Sequence, residues 1–392
     1  MLHNVIDAQA ATDLQILLVV ASCLLTSPYI AKFLKLPLSA TEIILGSLIG
    51  FIGFIGESEN FKLLANAGFY YLMFIAGMEI NLKTFLNTER TLLNKAFIYI
   101  ASLYLLSIIA VESIEISYVF VIIIPIMSVG LLSTLYKDFG KNCDWLNISM
   151  IVATLAEVVS IVLLTITAAF LGQGTDLFSL TQNLLYLVGF LALCIFSFKF
   201  LEVLFWWYPQ LKTILMPWQD HNEKDIRFCM AIFIAIVAIM IYFKLEVALG
   251  AFIAGSFIAT FFDHKKDLEH KLSSFGYGFL IPIFFIYIGS SFKLEKLLNP
   301  EVLIIAFSLT AFMIFVRIAS AMVFLKNLGL TNTFLFGLSH SMPLTLLIAI
   351  ATLSLGAKII SEEIYSGLVL TALLEAILAI SLIKFINNFK RL

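Results

Sequence analysis

The chain has 392 residues, 61% of them hydrophobic and only 13% charged, with a mean hydropathy of +1.03. Soluble domains carry roughly a quarter charged residues, so this composition excludes an ordinary soluble domain and predicts a multi-pass membrane protein. A formal net charge of −2 offers no basic surface, and no nucleic-acid partner is expected.

The opening run, MLHNVIDAQAATDLQILLVV, has no Lys or Arg and carries Asp7 and Asp13. A secretory leader is positively charged, so this run is expected to stay as the first membrane helix. A spanning helix needs about 20 mainly apolar residues. Cutting at charged residues, Pro and Gly predicts spans near 14–34, 39–56, 63–83, 92–111, 117–137, 145–171, 178–206, 227–244, 246–262, 272–292, 301–326, 331–356 and 361–386. The expected fold is an all-α polytopic membrane protein of about thirteen transmembrane helices. The weakest cuts lie at Leu36-Pro37 and at Phe243-Lys244-Leu245-Glu246. The largest connector, YPQLKTILMPWQDHNEKD, is too short to fold alone. Cys23, Cys143, Cys194 and Cys229 form no metal-ligand spacing and read as free thiols.

Lys and Arg set the expected orientation. With the N-terminus outside, seventeen of the 24 fall on the cytoplasmic side, against Lys62, Lys244, Lys293, Lys296 and Lys358 on the other. The expectation is N-terminus out and C-terminus in.

Thirteen spans divide as six, a linker and six, the pattern of transporters built from two inverted repeats around a midplane site. The fifth span holds IIIPIMSVGLLSTL, with Pro125, Ser128, Gly130 and Ser133. The twelfth, its partner by position, holds FGLSHSMPLTLLI, with Ser339, His340, Ser341, Pro343 and Thr345. Such clusters open the backbone, and open backbone at that depth is tolerated only against protein or a polar cavity. Two broken crossing helices are therefore expected, lined by Ser128, Gly130, Ser339 and Ser341, with half-helix dipoles aimed at a site.

Three ionisable residues sit at depth: Glu157 in span six, Arg317 in span eleven and Glu375 in span thirteen. Each costs on the order of 2.5–3.5 kcal/mol at the bilayer centre. Two carboxylates and one guanidinium leave one carboxylate over. A spare acid must take a proton or a metal cation, and a group that chooses between them is the minimum machinery of an exchanger. Thr154, Glu157 and Ser160 share one helical face, and small hard cations prefer such oxygens. Glu157 is expected to bind the transported cation and the proton, with Thr154 and Ser160 beside it. Arg317 is the charge partner, Glu375 being its expected mate. Arginine does not deprotonate in proteins, so one proton per monovalent cation, an electroneutral exchange, is expected. Glu202 and Lys199 read as a snorkelled pair, and His340 as a hydrogen-bonded core histidine rather than a pH sensor.

These residues carry a resemblance. KLPLSATEIILGSLIG, FYYLMFIAGMEINLKTF, ALGAFIAGSFIA, FLIPIFFIYIGSSF and PIMSVGLLSTLYKDFG resemble, in order along the chain, the motifs of the bacterial monovalent cation:proton antiporter-2 family. That family holds sodium/proton exchangers and Kef-type membrane domains. The resemblance implies a homodimer with scaffold parts at 1–83 and 227–292, core parts at 92–171 and 301–386, and a linker helix at 178–206. It also implies an elevator-like shift of the core. The family's acidic pair in span six falls on Ala156 and Glu157, and its basic residue in span eleven on Arg317. Ala156 has no polar side chain, and Glu157 is one methylene longer than the family's Asp. A Kef-type chain continues into a nucleotide-binding domain with a Gly-x-Gly-x-x-Gly turn; no such gating is expected here.

The function expected is exchange of H+ for Na+ or K+ across a bacterial inner membrane, without a cofactor. An organic-anion/sodium symporter of related fold and a non-transporting membrane sensor or subunit are the alternatives. No HExxH, GxSxG or Walker motif points to an enzyme.

Overall fold

The computed structural model describes residues 2–34, 36–53, 58–78, 89–129, 132, 135, 143–171, 177–217, 222–243, 245, 247–262, 266–291 and 299–389. All the regular structure among them is helical. Eight helices there are long and apolar enough to cross a membrane, and three shorter apolar helices accompany them. The chain is a multi-pass membrane protein.

The expected weak cuts are real breaks. Helix α1, Leu2–Leu34, ends ahead of Pro37, and α2, Leu38–Ile52, starts directly after it. Proline cannot donate into the preceding turn, yet it suits the start of a helix. Helix α3 spans Glu59–Met78 and α4 spans Arg90–Ile114. The fifth apolar stretch is broken: α5 covers only Val119–Ile123, Ile126 to Ser128 are non-helical, and helix resumes at Val129. Then follow α6 (Asp144–Leu171), α7 (Leu177–Trp207), the short α8 (Gln210–Leu215), α9 (Lys224–Tyr242) and α10 (Val247–Phe261). The tenth stretch, expected as one helix, is α11 (Lys266–Phe275), a π-helical turn over Gly276–Leu280, and α12 (Ile281–Ser291). Helix α13, Pro300–Ala321, runs through a 3-10 turn into α14, Leu325–Ser339. Within α14 the helix is kinked at Gly329, whose φ of 72° is left-handed backbone that a glycine adopts without steric cost. After a second non-helical stretch, α15 covers Leu344–Gly356, and α16 covers Glu362–Phe389.

The chain divides into two compact units. One holds Met1–Leu24, Glu57–Asn87 and Thr165–Tyr287; the other holds Leu25–Gly56, Thr88–Leu164 and Ile288–Leu392.

In the first unit, α3 and α10 lie almost backbone to backbone. A Cβ on Gly77 would stand 2.0 Å from the Phe252 carbonyl oxygen, and one on Gly255 would stand 2.0 Å from that of Phe74. The Ser256 hydroxyl donates to the Gly77 carbonyl at 3.1 Å, and the Tyr71 hydroxyl donates to that of Leu272 at 3.0 Å. In lipid no hydrophobic force drives one apolar helix onto another, so association rests on close packing of small residues and on interhelical hydrogen bonds. The glycines of FIAGME and GAFIAG are thus packing residues. In the second unit the same device brings α2 to α12, where a Cβ on Gly289 would meet the Ile43 carbonyl oxygen at 2.1 Å. Helix α16 packs on α13 and α15, and α15 touches α5, so the two broken spans meet.

Gly77→Ala and Gly255→Ala are each expected to destabilise the protein by about 1–3 kcal/mol, the usual cost of overpacking. Gly189, with nothing within 4 Å of its missing Cβ, is the control: Gly189→Ala should be neutral or slightly stabilising. Thermal unfolding in detergent checks all three, and equal behaviour would contradict the packing role.

Candidate functional site

The second unit contains a buried polar centre built around its first helix break. Pro125 lies where the α5 helix gives way, and the following residues leave the helical hydrogen-bond pattern. Their freed backbone groups are taken by side chains from two other helices. The Ile126 carbonyl accepts from Arg317 Nη2 at 2.7 Å. The Val129 N–H donates to Glu157 Oε2 at 3.1 Å. Two charged side chains thus finish a helix break, one at its carbonyl side and one at its amide side, each with the sign that the local backbone dipole favours.

Arg317 has a second partner. Its Nη1 donates to Glu375 Oε1 at 2.8 Å, and both side chains are completely buried. Glu157 is equally buried, at 0% exposure, but its described partner is the one backbone N–H and not a cation. A lone backbone hydrogen bond compensates little of the desolvation of a carboxylate.

Among the described residues, the buried side-chain polar atoms without a hydrogen-bond partner all belong to this unit: Glu157 Oε1, Glu375 Oε2, Arg317 Nε, and the hydroxyls of Tyr104, Ser160, Thr310 and Ser320. They come from α4, α6, α13 and α16. Buried polar groups in folded proteins are almost always satisfied, so this concentration marks a region built for something other than packing. Oxygen atoms dominate the set, which suits a small hard cation as substrate.

The other expected residues are distributed around this centre. The Thr154 hydroxyl donates to the Met150 carbonyl one turn back, at 2.7 Å; its oxygen lone pairs stay available. Ser160 Oγ lies beside the Tyr104 hydroxyl. Ser128 is buried in the break itself, at 5% exposure. Gly130 lies outside the described residues, as does the side chain of Thr345. At the second break, Ser339 Oγ is 2.7 Å from the Phe336 carbonyl and 3.0 Å from Ser149 Oγ, while the Ser341 hydroxyl donates to Gly337 at 3.2 Å. His340 is buried between Tyr99 and Ser149. Ala156 is buried and apolar. Lys199 and Glu202 lie on the exposed surface of α7 and form no ion pair among the described residues, contrary to expectation, since both side chains already reach open surroundings.

Sequence reasoning missed three kinds of participant. The backbone groups of Ile126 and Val129 have no side-chain signature. Tyr99, Tyr104 and Ser149 are ordinary residues for apolar helices, and only the folded contacts single them out. Glu42 is a further buried carboxylate, at 3% exposure, hydrogen-bonded with Ser27; it was legible as an acid inside LSATEIILG.

Comparison with known proteins supplies the family. The transmembrane sodium/hydrogen exchanger family matches residues 18–388. Among curated relatives, the chain is 27% identical over 391 residues to the putative Na(+)/H(+) antiporter YjbQ of Bacillus subtilis, covering 94% of this chain and 62% of that protein. It is 24% identical over 390 residues to the probable Na(+)/H(+) antiporter 3 of Methanocaldococcus jannaschii, covering 94% of this chain and 95% of that one. The chain thus spans less than two thirds of the B. subtilis relative and nearly all of the archaeal one. In fold it is similar to the solved sodium proton antiporter MjNhaP1 of M. jannaschii, with a TM-score of 0.66 over 95% of this chain and 97% of that one, at 16% identity. With a family match running through both helix breaks and through Glu157, Arg317 and Glu375, the chain belongs to the transmembrane sodium/hydrogen exchanger family.

Proposed function

We propose that this chain is a secondary transporter that exchanges protons for a monovalent cation, Na+ or K+, with Glu157 as the group for which the two compete. One observation carries the reading: Glu157 is a fully buried carboxylate at a helix break whose one partner among the described residues is a backbone N–H, while the nearby guanidinium is taken by Glu375. A carboxylate in that position is stable when a proton or a cation neutralises it. Val129 N–H holds one oxygen, leaving the other to the proton or the metal. Thr154, Ser160 and the buried hydroxyls around them supply oxygen ligands to the cation.

The finer features follow from this chemistry. Arg317 keeps its proton throughout the cycle, so one carboxylate exchanges one proton for one cation, and the exchange is electroneutral. Alternating access is an elevator-like movement in which only the neutralised core, 92–171 and 301–386, crosses against a dimeric scaffold of 1–83 and 227–292. Thirteen spans in two inverted halves, joined by the 178–206 helix, place the broken spans at equivalent positions. Ser128, Gly130, Ser339 and Ser341 line that crossing region. The motif set favours the antiporter-2 branch, and the Lys and Arg distribution favours a bacterial inner membrane with the N-terminus outside.

In proteoliposomes, Glu157→Gln should abolish cation-driven proton flux while the protein still inserts and purifies as the wild type does. Retained exchange would remove Glu157 from its role. In the wild type, competition should raise the cation concentration at half-saturation by roughly tenfold per pH unit of acidification once the proton is the dominant occupant. An imposed membrane potential should leave the rate unchanged; a rate that tracks the potential would refute electroneutrality.

The paired charges are expected to answer a different assay. Arg317→Leu or Glu375→Leu alone strands a buried charge and should cost about 3–5 kcal/mol of stability, whereas the double replacement should cost much less. Thermal unfolding in detergent separates these outcomes, and additive losses would show that the two residues do not act as a pair.

A further inference from the structure

The second helix break is fastened to the helix of Glu157 by a histidine that the exchange chemistry does not use. His340 follows the last helical residue of α14 and opens the non-helical stretch before α15. It is 2% exposed. Its Nε2 lies 3.1 Å from the Ser149 carbonyl oxygen, and its Nδ1 lies 3.0 Å from the Tyr99 hydroxyl. Ser149 stands on α6, two turns before Glu157. Ser339 Oγ adds a contact of 3.0 Å to Ser149 Oγ, so the last residue of α14 and the first of the break both meet one residue of the Glu157 helix.

The donors fix the tautomer. A carbonyl only accepts, so Nε2 carries the hydrogen. Nδ1 is then the acceptor for the Tyr99 O–H. In this arrangement both ring nitrogens and the phenol are satisfied. A proton added at Nδ1 would turn that nitrogen into a donor and strand the phenol hydrogen among aromatic rings, with Phe336 5.2 Å and Phe324 6.2 Å from the Tyr99 ring. Among the described residues, the charged group that acts on the imidazole is Arg317, itself paired with Glu375.

We propose that His340 is a positioning residue: its Nε2–H bond to the Ser149 carbonyl seats the second helix break against the Glu157 helix, and it does so as a neutral hydrogen-bonding group rather than a proton carrier. The proposal rests on the reading of Glu157 as the exchange carboxylate. The seat fixes the segment from Ser339 to Pro343 relative to α6, and so sets how well the site accepts a cation.

Three variants of the full chain test it. The amide of His340→Gln can place an N–H where Nε2 stands and keep the bond to Ser149. His340→Asn can place its oxygen where Nδ1 stands and keep the bond to Tyr99 alone. His340→Leu keeps neither. The Na+ concentration at half-saturation of exchange should rise by roughly tenfold in the Leu and Asn variants, the scale of one lost hydrogen bond, and stay within about threefold in the Gln variant. The midpoint of the pH profile should be the same for wild type and His340→Gln. In detergent, backbone hydrogen exchange over 339–343 should quicken in the Leu and Asn variants and return towards wild type in His340→Gln. This last readout needs no transport, so it judges the seat even if the wild type moved no protons in response to Na+ or K+, a result that would overturn the Glu157 reading alone. Where His340→Leu fails to fold, the Gln and Asn pair decides. An Asn variant as good as Gln, or a pH midpoint displaced by a unit or more in His340→Gln, would overturn the proposal.

Discussion

The architecture depends on how one broken helix is closed. At the Pro125 break the chain opens a carbonyl and an amide on residues that are fully buried, where each needs a partner. Arg317 takes the Ile126 carbonyl and Glu157 takes the Val129 amide. These contacts remove the cost of the open backbone and, in the same act, hold two charged side chains at one helix break. Glu375 then neutralises Arg317. The charge left over is the Glu157 carboxylate; on the function proposed for it, the need for an exchangeable cation or proton follows from this closure.

Packing elsewhere serves the same end. The unit that holds Glu157 concentrates the orphaned hydroxyls, while the other unit is joined by glycines in van der Waals contact with facing backbone and by aromatic stacking, such as Phe74 with Phe233 at 5.1 Å. Close glycine contacts leave little room for relative sliding within a helix pair. A rigid pair and an under-satisfied polar centre are different mechanical materials, and a transporter of the kind proposed needs both.

Much of this was legible in the residues because the membrane makes polarity expensive. Three charges in apolar stretches, and Pro with Ser at the centres of two spans, are conspicuous against such a background. The breaks lie where the Pro, Gly and Ser clusters lie, and Leu36-Pro37 and Phe243–Glu246 separate helices as the punctuation suggested. Other features had no sequence signal. The π-helical turn at Gly276–Leu280 begins where the Tyr71 ring packs, its Cε1 2.6 Å from where a Cβ on Gly276 would stand, a tertiary contact that periodicity does not encode. Arg317 does pair with Glu375, the mate expected for it, but the contact itself is made by helix placement, since α13 and α16 are far apart in sequence. Tyr99 and Ser149 were invisible for the same reason: a single hydroxyl in an apolar helix usually bonds its own backbone.

The central claim is that one carboxylate is emptied of its proton when the cation arrives. It is tested most directly by adding Na+ or K+ to the purified protein in weakly buffered detergent solution and counting protons released. The account expects one proton for each cation bound by the wild type, and none from Glu157→Gln. Undiminished proton release from that variant would contradict it.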